Sequence, residues 1–201
     1  GGLANLFFIA RGYEVGLSKV EKEGTQLAWE MDKNFKGKLL LPQDVVVANK
    51  TADKNSIRVC SPHEVRSNEL ILDIGPKTIF AYAEKLKAAK TIVWNGPLGH
   101  FEQKPFHHGT IALARIIGSV GSRKCFTIVG GGETVDAVRQ AGQEKLPAML
   151  RVNLYRLWQR HHERGLWNGA ASAAGSLLRS VEQKYRKRRY EVIWTGAASL
   201  P

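Results

Sequence analysis

From residue 1 to about 145, short continuous apolar runs alternate with segments whose apolar residues recur every three to four positions. The first pattern predicts buried strands and the second amphipathic helices. Residues 3–10 predict a short buried helix stopped near Gly12, and residues 20–35 a second ending at Gly37. Residues 38–41 and 44–48 predict short strands split by Pro42, and residues 57–60 a weaker one. A strand over 70–74 leads through Gly75 and Pro76 into a helix over 78–89, where the missing proline N–H costs nothing. A strand over 91–94, a helix over 109–120, a strand over 125–129 and a helix over 133–141 complete the regular part. Such alternation predicts an α/β fold: a Rossmann-like, three-layer parallel sheet with helices on both faces, incomplete at its C-terminal end.

Ligands of such sheets lie at the carboxyl ends of the strands, and two glycine-rich turns are expected there. One is Asn95-Gly-Pro-Leu-Gly-His-Phe-Glu102, the other Gly130-Gly-Gly-Glu-Thr134. A strand that ends in glycines and then opens a helix offers bare backbone N–H groups and the positive end of the helix dipole, which suits phosphate. Asn95 adds a side-chain amide, and Glu102 a carboxylate able to accept both hydrogen bonds of a ribose diol. Glu133 can reach a phosphate-bound Mg²⁺, and Thr134 can cap the helix or bond phosphate. Plain strand-to-loop punctuation would use the same Asn-Gly-Pro, but an ordinary turn rarely needs three glycines.

After Leu146 the texture changes. Residues 150–162 predict an amphipathic helix with Leu150, Leu154, Leu157, Trp158 and His161 on one face, and residues 170–189 predict another. The expected organisation is therefore a nucleotide-binding domain over 1–145 and a divergent basic tail over 146–201, helical or disordered. Of the net charge of +12, residues 151–201 carry +7, from 10 Lys+Arg against 3 Asp+Glu, so the basic character belongs to that tail. At 43% apolar and 24% charged, the composition is that of a globular protein. No apolar run approaches the roughly 20 residues of a membrane span. The start has an apolar stretch without a basic region before it, and predicts entry in the middle of a fold rather than a secretion signal. Cys60 and Cys125, without metal-ligand spacing, predict reduced thiols and a cytoplasmic protein.

Taken together, these turns and Leu72-Asp-Ile-Gly-Pro-Lys-Thr78 resemble the carboxy-terminal, nucleotide-binding half of phosphoglycerate kinase over residues 1 to about 142. Gly1-Gly-Leu-Ala-Asn5, Arg11-Gly-Tyr-Glu-Val-Gly16 and Leu41-Pro-Gln-Asp-Val-Val-Val-Ala48 match its other segments in order. The resemblance implies phosphoryl transfer between 1,3-bisphosphoglycerate and ADP, with Mg-ATP or Mg-ADP as substrate and no other cofactor. It implies Gly1 and Gly2 against the adenine, Gly75 beside the nucleotide, Asn95 near the phosphates and Glu102 on the ribose. Gly131, Gly132 and Thr134 would hold the phosphate chain. Glu133, where the family usually has Asp, would meet Mg²⁺ through the nucleotide.

Three departures from the family pattern stand out. Its lysine that reaches the nucleotide phosphates falls on Leu17, with Lys19 a possible substitute aimed differently. The amino-terminal half that binds 3-phosphoglycerate is missing, and His63, His100, His107 and His108 do not replace its basic site. The final glycine turn expected near residue 150 is absent, and Trp194-Thr-Gly-Ala-Ala-Ser199 resembles it only faintly, as though an out-of-frame or fused sequence began after Leu146. The expectation is a monomeric kinase fragment that binds ADP or ATP and is inactive by itself. Two alternatives stay open: a non-catalytic nucleotide-binding module, and nucleic-acid binding through the basic cluster at 184–190. Neither a membrane nor a nucleic-acid partner is expected to be its main business.

Overall fold

The computed structural model of the protein describes residues 2–20, 22–35, 37–121, 125–143, 150–152 and 191–194. Its helices are α1 (Gly2–Ala10), α2 (Thr25–Asn34), α3 (Pro76–Ala88), α4 (His108–Gly121) and α5 (Gly132–Gln140). The strands are β1 (Val45–Asn49), β2 (Arg58–Cys60), β3 (Glu69–Ile74), β4 (Thr91–Asn95), β5 (Phe126–Gly130), β6 (Leu150–Val152) and β7 (Glu191–Trp194).

These strands form two sheets. One is parallel, in the order β6-β5-β4-β7, with Asn95 paired to Gly130 where β4 and β5 end. Both glycine turns therefore leave the sheet side by side. The α/β class and the parallel sheet agree with the alternation in the sequence. The other sheet, β2-β1-β3, is antiparallel, which the alternation did not predict. Connection length is part of the reason: residues 50–57 are too few for the dozen or more residues a parallel crossover needs, so β2 runs back along β1. Strand β3 pairs on the other side of β1, also antiparallel to it.

Three apolar clusters hold this arrangement. The largest packs Ile92, Trp94 and Val129 of the parallel sheet against Leu86 of α3, Leu113 and Ile117 of α4 and Val138 of α5. A second joins Phe8 of α1 to Val45, Val47 and Cys60, and a third joins Leu6 and Phe7 to Ala28 of α2. Arg11, just past α1, makes a bidentate pair with Asp32 of α2 at 2.7 Å on both oxygens.

Other expectations need correction. Residues 38–41 form no strand: Gly37 turns the chain at φ +80°, and Leu39 and Leu41 insert into the apolar clusters instead of pairing. Lys-Leu-Leu-Leu, with no β-branched or aromatic residue, has little intrinsic preference for a strand. The second helix starts at Thr25, after a 3₁₀ turn over Lys22–Gly24, while Val20 reaches into the core as extended chain. Leu150–Val152, expected to open a helix, is a strand parallel to β5. The other expected tail helix, residues 170–189, lies outside the described residues, as does the basic cluster at 184–190. No helix among the described residues is long and apolar enough to cross a membrane.

Candidate functional site

Three helices, α3, α4 and α5, each begin just beyond a strand or its following loop, and each carries a threonine at its third position. Thr78, Thr110 and Thr134 are all fully buried. Each hydroxyl accepts a backbone N–H from another segment. Thr78 Oγ takes the N–H of Gln43 at 2.9 Å and of Asp44 at 3.0 Å. Thr110 Oγ takes that of Leu98 at 3.0 Å. Thr134 Oγ takes that of Gly96 at 2.7 Å. The last bond ties the first glycine turn to the second.

The helix entrances differ in what lies in front of them. At α3 the Asp44 carboxylate accepts the N–H groups of Lys77 at 3.0 Å and Thr78 at 2.8 Å, and also faces the Thr78 hydroxyl at 2.6 Å. A Cβ on Gly75 would run into that carboxylate. At α4 the Asp73 carboxylate, 2% exposed, accepts the N–H of Gly109 at 2.8 Å and of Ile74 at 2.8 Å. Cβ atoms on Gly99 or Gly109 would strike it. Both carboxylates satisfy first-turn amides and sit at the positive end of a helix dipole.

The entrance of α5 is different. Its N-cap is Gly131, with φ +88° and no side-chain cap hydrogen bond, and Gly131 and Gly132 are exposed. A Cβ on Gly132 would meet nothing within 4 Å. One on Gly131 would lie 3.2 Å from Asn95 Oδ1 and 3.4 Å from Thr134 Oγ1, so the two turns approach each other closely there. Thus Asn95, Gly131, Gly132, Glu133 and Thr134 are brought together around an open helix N-terminus. Such a site suits an anion.

The remaining predicted residues fall as follows. Glu102 is exposed, in the loop that returns from β4 past β3, where the His100 N–H donates to Leu72 O at 2.7 Å. Gly75 makes room for Asp44, so the amides behind it are already satisfied and its predicted place beside a nucleotide does not explain it. Gly2 is exposed as the first residue of α1, not in a turn, and Gly1 lies outside the described residues. Leu17 is 48% exposed and donates its N–H to Glu69 O at 2.8 Å. That places it at the start of β3, the end away from Asp73 and the helix entrances. Lys19, two residues on, is exposed and makes no ion pair among the described residues.

Asp44 and Asp73 were not singled out by the sequence reading. Each fills the side-chain space of glycines brought to it by the fold, Gly75 for Asp44 and Gly99 and Gly109 for Asp73, a pairing the local sequence does not show. Burial, more than any neighbouring charge, raises the Asp73 carboxyl to about 6, against the pull of the Gly109 and Ile74 amides and of His108. The neighbouring His107 and His108 rings stack at 4.3 Å, and burial beside His108 lowers the His107 imidazole. No cluster of three or more His, Cys, Asp or Glu able to hold a metal is found among the described residues. A single carboxylate such as Glu133 does fit Mg²⁺ delivered on phosphates, because this hard cation keeps phosphate and water oxygens and takes one or two from protein.

Residues 1–149 match the family model described as phosphoglycerate kinase. The phosphoglycerate kinase of Novosphingobium aromaticivorans is 44% identical over 147 residues, 71% of this chain and 37% of that protein. That of Moorella thermoacetica is 45% identical over 145 residues, 71% of this chain and 36% of that protein. In structure the chain is similar to phosphoglycerate kinase from Coxiella burnetii, with a TM-score of 0.62 at 40% identity over 71% of this chain and 37% of that one. It shares its fold with the enzyme from Pyrococcus horikoshii at a TM-score of 0.54 and 24% identity. The chain spans about 37% of the length of the curated relatives it matches.

Proposed function

Because this chain belongs to the phosphoglycerate kinase family, we propose that residues 1–149 are the nucleotide-binding half of such a kinase and bind Mg-ADP or Mg-ATP where β4 and β5 end. One observation carries the reading. Of three helix entrances built alike, two are filled by the chain's own carboxylates and the third opens to solvent between two glycine turns. An anionic ligand takes the place at α5 that Asp44 takes at α3 and Asp73 at α4.

In this reading the backbone of Gly131 and Gly132 approaches the phosphate chain without side-chain obstruction. The Asn95 amide lies beside it, Thr134 fixes the turn, and Glu102 holds the ribose. Mg²⁺, when bound, neutralises phosphate charge, and Glu133 holds it through the nucleotide. Phosphoryl transfer depends chiefly on positioning and electrostatic stabilisation, which is what these groups offer. The reaction with 1,3-bisphosphoglycerate is assigned to the full family fold. This chain by itself is proposed to bind nucleotide, as a cytoplasmic monomer, without turning it over.

Calorimetric titration of Mg-ADP into the full chain tests the proposal. Saturable binding tighter than about 1 mM is expected, in the range of ordinary enzyme–substrate affinities, together with weaker binding once EDTA removes Mg²⁺. No saturation at several times that concentration would refute it. Phosphoglycerate-dependent ATP formation by the isolated chain would refute the proposed lack of turnover while leaving binding intact.

A further inference from the structure

Gly96 is held at both of its backbone polar groups. The Gly96 N–H donates to Thr134 Oγ1 at 2.7 Å. The Trp94 indole Nε1–H donates to the Gly96 carbonyl at 2.8 Å. Both side chains are fully buried, and Gly96 has φ +90°, a conformation only glycine adopts readily. Trp94 belongs to β4 and its ring to the main apolar cluster, while Thr134 belongs to the first turn of α5. Thus the sheet core grips the carbonyl of Gly96 and the helix entrance grips its N–H. Asn95, the residue before it, faces the Cβ position of Gly131 at 3.2 Å with its Oδ1.

We propose that Trp94 and Thr134 are positioning residues for the phosphate end of the nucleotide: they clamp Gly96 so that the Asn95 amide and the α5 entrance keep one spacing. This rests on the nucleotide reading given above. A core tryptophan needs a partner for its N–H, but many carbonyls could serve. Here the partner is the residue whose own N–H bridges to the other turn. The clamp orders the site before ligand arrives, which lowers the entropy lost on binding.

The test compares Mg-ADP with adenosine, which shares the base and ribose and lacks phosphate. Trp94→Phe keeps the ring and removes only the N–H; Thr134→Val keeps the shape and removes the acceptor; Thr134→Ser restores it. Trp94→Phe and Thr134→Val should each weaken Mg-ADP binding roughly tenfold, the scale of one buried hydrogen bond. Adenosine binding should stay within about twofold and Thr134→Ser should recover most of the loss. Equal weakening of both ligands would show a general structural defect and overturn the clamp, as would unchanged Mg-ADP affinity in both variants while the unmodified chain binds. If the unmodified chain binds adenosine but gains nothing from the phosphates of Mg-ADP, the phosphate-site reading itself falls and the clamp with it.

Discussion

Asp73 gives the sharpest stability test, because its titration and its structural role point in opposite directions. Its carboxylate, 2% exposed, caps α4 through Gly109 at 2.8 Å and takes the Ile74 N–H at 2.8 Å. Burial nevertheless raises its pKa from an ordinary 3.8 to about 6. The folded state therefore binds a proton more tightly than the unfolded chain, and stability contributed by this group is full at low pH and lost as pH rises through about 6. A shift of about two units corresponds to about 3 kcal/mol in all, with about 2 kcal/mol of it falling between pH 4.5 and 7.5.

Asp73→Asn cannot titrate. Its amide oxygen accepts one of the two backbone N–H groups, while its NH₂ faces the other, much as one half of a protonated carboxyl would. Urea unfolding of the unmodified chain and the variant, measured in steps from pH 4.5 to 7.5, isolates the effect because every other titrating group is common to both. The cost of the substitution should shrink by about 2 kcal/mol as pH rises across that window. At the upper end the Asn variant should approach or exceed the unmodified chain. If the two stability curves run parallel, Asp73 is ionised throughout and the burial argument is wrong.

Two further substitutions probe neighbouring features. Gly75→Ala drives a methyl group into the Asp44 carboxylate that caps α3. It should lower stability by about 1–3 kcal/mol, read from the urea midpoint; an unchanged midpoint would show that Asp44 moves aside freely. Arg58→Met leaves the nearly buried Glu69 carboxylate without the guanidinium that pairs with it at 2.8 and 2.7 Å. That pairing, chiefly, lowers the Glu69 pKa, so the stability it supplies is present at neutral pH and lost as acid protonates the carboxylate. A loss of about 2 kcal/mol or more at pH 7 is expected, shrinking below about pH 4; a pH-independent loss would assign the effect to packing of the arginine stem.

Much of the fold was legible because the sequence states its periods plainly. Residues 70–74, 91–94 and 125–129 are apolar runs of strand length, each followed by an amphipathic helix, and all three fall within a residue or so of the observed elements. Sheet direction was less legible, since it depends on how far a connection can travel; residues 50–57 have a length that excludes a parallel crossover between β1 and β2. Residues 38–41 were misread because an apolar run was taken for a strand without asking for β-branched side chains. At Gly75, expected beside a nucleotide, the space a side chain would take is filled by Asp44, a distant neighbour that the local sequence does not reveal.

That distinction separates phosphate sites from ordinary helix starts in this chain. Pro76-Lys-Thr78, His108-Gly-Thr110 and Gly132-Glu-Thr134 are three versions of one opening, with a buried threonine at the third position bonding a neighbouring segment. The shared threonine does not by itself tell which of the three binds an anion. The difference lies in residues far away in the chain: Asp44 is 34 positions from Thr78, and Asp73 is 36 positions from Gly109. A helix N-terminus demands negative charge, and the fold answers from within at two of them. At α5 Gly131 and Gly132 are exposed, and there the same demand selects a ligand.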